Sequence, residues 1–443
     1  MKKILSEYGM VLVLLALCVL FSLLTLKKQT PDDPATQARM AQSIEKTFKP
    51  GDTILAVGAA KKPSGILAEG VGGILKEKGF EDVHVVVGTP IDLRKKLDAL
   101  KAEGKPPAAI IGGGVVNQWR ILDLIPENYP SFASAKRIQA QTRTWPDFLK
   151  KSNLLAIVDR IVVIAIIAIG MTMVIITAGI DLSVGSLIAL SAVISTLIMK
   201  KLGGLDAPAW AVPVGFAAGI SACGLIGGLG GAIVARFKVA PFITTLAVML
   251  MARGLALNIT GGFSIYQVPK ALAWLGQGRT IGIPNTVLLL IVLYVGAHIF
   301  MSHTRIGRHI YALGGNEEAA RLSGVPVTFT LIFVYVVSGF MAGFGGCIQA
   351  SQLNTGTPNM GLMYELYVIA AVVVGGTSLA GGSGRIFGTL IGAFIISVIQ
   401  NGMNLVGIAA YTQQIVLGGV ILAAVLLDKT RNIGGWKLLF KRG

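Results

Sequence analysis

From Ile161 to Asp428 the chain is an almost unbroken succession of apolar runs, near 161–178, 183–199, 209–235, 240–260, 285–302, 327–350, 363–379, 386–404 and 411–428. Most have the length that crosses a hydrocarbon core of roughly 30 Å as a helix. Lipid offers no hydrogen-bond partners, so a chain of this pattern is restricted to helices that satisfy their own backbone. The composition agrees: 53% of residues are hydrophobic, 14% are charged and the mean hydropathy is +0.71, whereas soluble domains carry about a quarter charged residues. The run at 363–379 is short and glycine-flanked, which predicts a full span or a broken, re-entrant one.

A further run, Gly9–Leu26, follows Lys2 and Lys3. Leu26-Lys27-Lys28 stands where a signal peptide would carry a small-residue cleavage site, so the run reads as an uncleaved anchor with a cytoplasmic N-terminus. With it the expected spans number ten. Alternation then puts Arg236, Lys238, Arg305, Arg308, Arg321, Arg385 and the tail Lys429, Arg431, Lys437, Lys441 and Arg442 inside with Lys2 and Lys3, against Lys200, Lys201, Lys270 and Arg279 in short outer loops. That asymmetry obeys the positive-inside rule and puts the C-terminus in the cytoplasm as well.

The net charge of +17 is therefore a membrane signature. No basic stripe with interleaved aromatics accompanies it, which argues against nucleic-acid binding. Cys18, Cys223 and Cys347 all lie in apolar runs, so neither a disulfide scaffold nor a thiolate metal cage is available. Small residues recur at four-residue spacing in Gly215/Gly219, Gly227/Gly231, Gly339/Gly343 and Gly388/Gly392, a spacing that lets helix backbones approach closely.

Between anchor and bundle, residues 31–147 have globular composition. Asp52–Gly58, Val83–Gly88 and Ala108–Gly113 read as strands, Ser64–Lys78 and Ile91–Glu103 as helices, which is the pattern of a small parallel-sheet α/β domain. The orientation above makes it extracytoplasmic. Residues 31–48, beginning Pro-Asp-Asp-Pro, read as a linker into a short helix, and 121–147 as an irregular return to the membrane. Gly112–Gly114 and the loop Ala59–Ser64 sit where open parallel sheets bind ligands, but no dinucleotide or Walker sequence is present and turn glycines explain them. His84 stands alone in its strand, a structural histidine. No nucleophile, base and orienting residue come together, so the domain is not expected to be an enzyme.

Two interruptions of the apolar runs resemble each other. Ala178-Gly-Ile-Asp-Leu-Ser-Val-Gly-Ser186 aligns without gaps to Gly375-Gly-Thr-Ser-Leu-Ala-Gly-Gly-Ser383, as a parallel internal repeat or by chance in a glycine-rich chain. Asp181 is the sole carboxylate between Asp159 and Asp206, at an expected membrane edge; it reads either as a cap of the following helix or as a functional group. The segment from Thr304 to Pro326 is too polar to enter lipid. Asn316 is a plausible N-cap, Glu317 and Glu318 occupy a first turn, Arg321 follows, and Gly324 with Pro326 stops the helix. A short exposed helix clamped between spans can pass force from a cytoplasmic partner to the bundle.

The motifs FLKKSNLLAIVDR (148–160), IAIGMTMVIITAGIDLSVGSLIALSAV (167–193), VAPFITTLAVMLMARGLAL (239–257), GRHIYALGGNEEAARLSGVPV (307–327), ELYVIAAVVVGGTSLAGGSGRIFGTLIGA (365–393), NGMNLVGI (401–408) and QQIVLGGVILAAVLLD (413–428) resemble, in order, the permease subunits of bacterial ABC importers for ribose, xylose and other monosaccharides, a branch with autoinducer and nucleoside-type relatives. The resemblance covers 148–428 almost continuously and the anchor loosely. It implies a pore-forming subunit of the bacterial inner membrane, paired as two copies, with a cytoplasmic ATPase on one side and an extracytoplasmic sugar-binding protein on the other, and no cofactor of its own. Carried over, Gly315, Asn316, Glu317, Glu318, Ala319, Ala320, Arg321 and Gly324 would form the coupling helix on the ATPase. Asp181, Ser183, Gly185, Gly375, Gly376, Thr377 and Asn401 would lie near the translocation path. Arg253 matches a basic position inside a family span, functional or structural.

Two departures stand out. Tyr367 occupies a position where relatives commonly carry an acidic residue, and the insertion at 31–147 replaces a short loop. The expected division is an anchor (1–30), an α/β insertion (31–147) and a permease domain (148–443). The competing expectation is a stand-alone secondary transporter, which would need intramembrane carboxylates or histidines for ion coupling. Those are nearly absent, with Asp181 and Glu365 both near edges. A membrane-tethered receptor would need an output domain larger than the 15-residue tail after Asp428.

Overall fold

The computed structural model describes residues 2–140 and 142–432; the basic tail residues Lys437, Lys441 and Arg442 lie outside the described residues. The chain divides into two units, one joining the first helix to everything from Phe148 onward and the other comprising Thr25–Asp147. In chain order the elements begin with α1 (Lys2–Leu24), β1 (Leu26–Gln29), α2 (Pro34–Glu45), β2 (Ile54–Ala59), α3 (Pro63–Glu77), β3 (Val83–Gly88), α4 (Pro90–Ala102), β4 (Ala109–Gly112), the single turns α5 (Arg120–Asp123) and α6 (Ile125–Asn128), β5 (Lys136–Gln139) and β6 (Arg143–Pro146). Then come α7 (Lys151–Ile176), α8 (Val184–Lys201), α9 (Ala211–Phe237), α10 (Pro241–Thr260), α11 (Ala273–Gln277), β7 (Arg279–Thr280), β8 (Ile283–Pro284), α12 (Asn285–His303), α13 (Arg305–Gly315), α14 (Glu317–Leu322), α15 (Val327–Leu353), α16 (Tyr364–Val374), α17 (Ile386–Val406) and α18 (Ala410–Asn432).

In the helical unit α7 is the axis. Every residue from Ile161 to Ile176 is buried, as expected of a helix apolar on all sides and walled in by others; α15, α17, α16 and α12 pack along it. The outer helices show the opposite pattern. On α10 and α12, Ile243, Leu250, Met251, Ile291, Val292 and Ile299 are exposed, a large apolar surface that marks contact with lipid.

Among the described residues, seven helices (α7, α8, α9, α10, α12, α15 and α17) are long and apolar enough to cross a membrane; the apolar stretches Gly9–Leu24, Tyr364–Val374 and Ala410–Leu426 are shorter. The run expected at 363–379 is helical for only 11 residues, about 16 Å at the α-helical rise, and stops at Gly375-Gly376. The chain then turns through Gly376, Gly381 and Gly382, all at positive φ, before α17 begins.

All four glycine pairs lie where helices touch. A β-carbon at Gly339 would collide with the Cys223 carbonyl of α9, and one at Gly227 with the Tyr335 carbonyl of α15. Gly215 and Gly219 face α8, and Gly388 and Gly392 face α16. In lipid, where apolar side chains gain nothing by leaving their solvent, such close backbone packing drives association.

The unit Thr25–Asp147 holds a parallel sheet in the order β3-β2-β4-β5. β2 is buried along its whole length. One face packs Met40 and Ile44 of α2 and Leu67, Val71 and Leu75 of α3; the other packs Leu93, Leu97 and Leu100 of α4 with Trp119, Leu122 and Phe132. The irregular return expected at 121–147 contains instead the edge strand β5 and, paired antiparallel with β1, the strand β6, Lys27 opposite Trp145. Lys136-Arg-Ile-Gln is polar because an edge strand beside exposed surface has little apolar face to fill. Asp82 ties the start of β3 to β2: its Oδ2 accepts from Thr53 Oγ1 at 2.6 Å, and its Oδ1 lies 2.9 Å from His84 Nε2 and 3.8 Å from Lys105 Nζ.

Candidate functional site

The first interruption is a tight turn between α7 and α8. Ala178 takes φ 59°, Thr245 of α10 donates to the Ile180 carbonyl at 3.1 Å, and Asp181 follows. Its carboxylate is fully buried. Ser183 donates to Oδ1 from its backbone N–H (2.9 Å) and its Oγ (2.6 Å), and Ser338 of α15 donates its Oγ to Oδ2 (2.7 Å). Three donors on one buried carboxylate stabilise the turn against the cost of desolvating it. The residue flanking α8 is Ser183, so Asp181 stands two residues before the helix cap.

In the first turn of α8, Gly185 is where three segments meet. A β-carbon there would strike the Glu365 carboxylate of α16 and sit 2.6 Å from the Gly361 carbonyl. Arg253 closes the same cluster from α10. Its Nη1 donates to the Pro358 (2.6 Å) and Met360 (2.8 Å) carbonyls and its Nη2 to the Gly185 carbonyl (3.3 Å). The guanidinium thus meets three backbone carbonyls, with Glu365 close enough to act on it electrostatically.

The second interruption packs against the first. Gly382 donates its N–H to the Ile176 carbonyl at the end of α7 (2.9 Å), and a β-carbon at Gly381 would lie 3.0 Å from that of Ala178. Gly375 sits against Gly388 and Thr389 of α17. Gly376 continues the turn at φ 86°. Thr377 is fully buried, its Oγ1 without a hydrogen-bond partner among the described residues. Asn401 is elsewhere: its amide exchanges two hydrogen bonds with Asn153 (2.9 and 3.1 Å), joining α17 to the first turn of α7.

Both interruptions also touch the polar segment. α13 ends at Gly314-Gly315, and a β-carbon at Gly314 would collide with the Ile176 carbonyl and come within 2.6 Å of the Gly382 nitrogen. Tyr311 donates its hydroxyl to the Gly384 carbonyl at 2.9 Å. Where one helix was expected over this polar segment there are two. α13 is strongly amphipathic, burying Ile310 and Leu313; α14 is a single capped turn and a half, with Asn316 Oδ1 accepting from the Ala319 N–H at 2.9 Å. Glu317, Glu318, Ala319 and Arg321 are exposed, Ala320 is buried, and Gly324 reverses the chain at φ 81°. Leu322 is 89% exposed at the tip.

Sequence reading missed Gly314, Tyr311, Ser338 and Leu322. An apolar residue in a polar loop could have drawn attention to Leu322; the others depend on contacts between segments distant in the chain.

Lipid-facing helices around a buried axis, with broken apolar segments meeting a polar hairpin, define a multi-pass membrane permease. Residues 153–425 match the family described as "Branched-chain amino acid transport system / permease component", and the chain belongs to that family. It is 44% identical to the ribose import permease protein RbsC of Escherichia coli (strain K12) over 292 residues, 65% of this chain and 88% of that protein. To RbsC of Bacillus subtilis (strain 168) it is 41% identical over 290 residues, 65% of this chain and 88% of that protein. To the D-allose transport system permease protein AlsC of E. coli (strain K12) it is 37% identical over 282 residues, 64% and 85%. The unit Thr25–Asp147 lies outside the family match. No solved structure matches the chain.

Proposed function

We propose that the protein is the membrane subunit of an ATP-driven importer that moves a monosaccharide such as ribose into the cytoplasm, working as a pair of permease copies with a separate cytoplasmic ATPase and an extracytoplasmic sugar-binding protein. The observation that carries this reading is the backbone junction of Ile176, Gly314 and Gly382 in a chain 44% identical to a ribose import permease. A push on α14 reaches both interruptions through contacts with no side chain to give way, as a coupling element requires.

In this reading the spans number ten, with α16 and the turn after it counted as one broken span, and both termini lie in the cytoplasm of a bacterial inner-membrane protein. Residues 31–147 form an extracytoplasmic α/β domain inserted after the anchor. Gly315 to Gly324 contact the ATPase through Glu317, Glu318, Arg321 and the exposed Leu322. Asp181, Ser183, Gly185, Gly375, Gly376 and Thr377 shape the segments that move, while Arg253 and Asn401 hold neighbouring segments in place.

The test is uptake of labelled D-ribose, D-allose and L-arabinose by cells carrying this chain with the ATPase and binding protein of its own operon. Uptake that stops when the ATPase is inactivated supports the proposal. Uptake that persists without it favours a stand-alone transporter.

A further inference from the structure

A cleft of about 550 Å³ opens among α7, α11, β8, α15 and α16, inside the size range of small-molecule sites, roughly 300–1,000 Å³. Its lining is unlike the rest of the bundle. Asp159, Arg160 and Arg279 bring charge, Gln277 and Gln352 bring carboxamides, and Tyr364 brings an aromatic ring with a hydroxyl.

The walls are held by hydrogen bonds that leave this chemistry unspent. Gln277 donates its amide to the Gln352 carbonyl (2.9 Å), Gln352 donates to the Asp159 carbonyl (3.2 Å), and Gln349 donates to the Tyr364 hydroxyl (3.1 Å). Both wall glutamines use their N–H groups on backbone, so their side-chain oxygens remain as acceptors. The half-buried Asp159 carboxylate takes no hydrogen bond among the described residues, although Arg279 is close enough to act on it electrostatically. An acid and a base that face one cleft without closing on each other are suited to a ligand that both donates and accepts. That is the chemistry of vicinal hydroxyls, and the tyrosine ring adds an apolar surface for the carbon skeleton.

We propose that this cleft is a monosaccharide-binding vestibule of the permease itself, in which Asp159, Arg279, Gln277 and Gln352 hold the hydroxyls of a neutral aldose beside Tyr364. The assignment rests on the importer function proposed above. With the orientation expected from the charge distribution, the lining residues belong to the outer half of their helices or to an outer loop. A sugar released by an extracytoplasmic binding protein would meet these groups first, exchanging hydration for hydroxyl contacts before the membrane is crossed.

The experiment is saturation-transfer NMR on the full chain in lipid nanodiscs, with D-ribose, D-allose and L-arabinose as probes, for the wild type, Asp159→Asn, Arg279→Gln, Gln277→Ala and, as a control outside the cleft lining, the exposed Glu69→Gln. Size-exclusion chromatography checks each variant. Arg279 and Gln277 lie at the outer loop, so they test the cleft even if Asp159→Asn misfolds. The expected result is saturation transfer to at least one sugar that survives in Glu69→Gln and falls about tenfold in the cleft variants, the scale of one lost hydrogen bond to a charged group. Equal transfer in all variants, or none in the wild type, overturns the vestibule. Uptake by the complete operon is measured in parallel: a wild type that imports sugar but binds none refutes the vestibule alone, and one that does neither refutes the importer reading with it.

Discussion

Gly382 donates its backbone N–H to the carbonyl of Ile176 at 2.9 Å, joining the turn after α16 to the end of α7 across more than two hundred residues of chain. The backbones of Gly314 and Gly315 both pack on this junction, but a β-carbon on Gly314 would enter it, whereas one on Gly315 would meet open space. The two glycines therefore predict opposite outcomes. Gly314→Ala drives a methyl group into backbone and should destabilise the bundle by about 1–3 kcal/mol, as overpacking does. Gly315→Ala meets open space at a helix end and should be neutral or slightly stabilising. Thermal unfolding of the two variants in detergent decides this, and equal midpoints would mean that the junction is not tightly packed.

Asp181 and Ser338 form a buried pair between the first interruption and α15. Removing the donor in Ser338→Ala leaves one carboxylate oxygen without its partner and should cost about 1–3 kcal/mol. In an Asp181→Asn background the same change should cost much less, because the unpaired charge is gone. A double-mutant cycle measures the difference, and strict additivity would show that the pair contributes nothing.

Arg253 holds three carbonyls with one planar fork, and the loop it closes contains Met363 at φ 65°, a conformation that non-glycine residues seldom adopt. Arg253→Lys keeps the charge and loses the fork. Protease cleavage within 354–363 should rise severalfold in that variant. Unchanged cleavage would show that the loop holds itself.

The Thr53 hydrogen bond, with His84 and Lys105 nearby, holds the Asp82 carboxyl below the usual aspartate range. A carboxyl whose pKa is depressed by folding contributes stability that is complete above its unfolded value of about 3.9 and lost as pH falls through the folded one. Pepsin digestion of the full chain between pH 5 and pH 3 should therefore open the β2–β3 region of the wild type more steeply with acid than that of Asp82→Asn. Parallel curves would contradict the assignment.

The helices and the α/β order of residues 52–113 were legible because apolar periodicity and turn residues act locally. β5 and β6 were not, since Lys136-Arg-Ile-Gln and Arg143-Thr-Trp-Pro owe their pairing to neighbours, not to a pattern of their own. The same division holds at the site. Asn316, Glu317 and Gly324 announce a capped helix from their own chemistry. The likeness of 178–186 to 375–383 pointed to two related breaks but could not tell that they touch. The burial of Asp181 was not legible because its partner Ser338 is 157 positions away.

The most direct test of the coupling assignment is co-purification of the detergent-solubilised chain from its native membrane, as wild type and as Glu317→Lys/Glu318→Lys. Both glutamates are exposed in the first turn of α14, so their reversal should leave the fold intact while altering the charge offered to a partner. An ATPase subunit should be bound to the wild type and lost from the variant. An ATPase retained equally by both would place coupling elsewhere, and intact protein with no ATPase in either sample would contradict an ATP-driven importer.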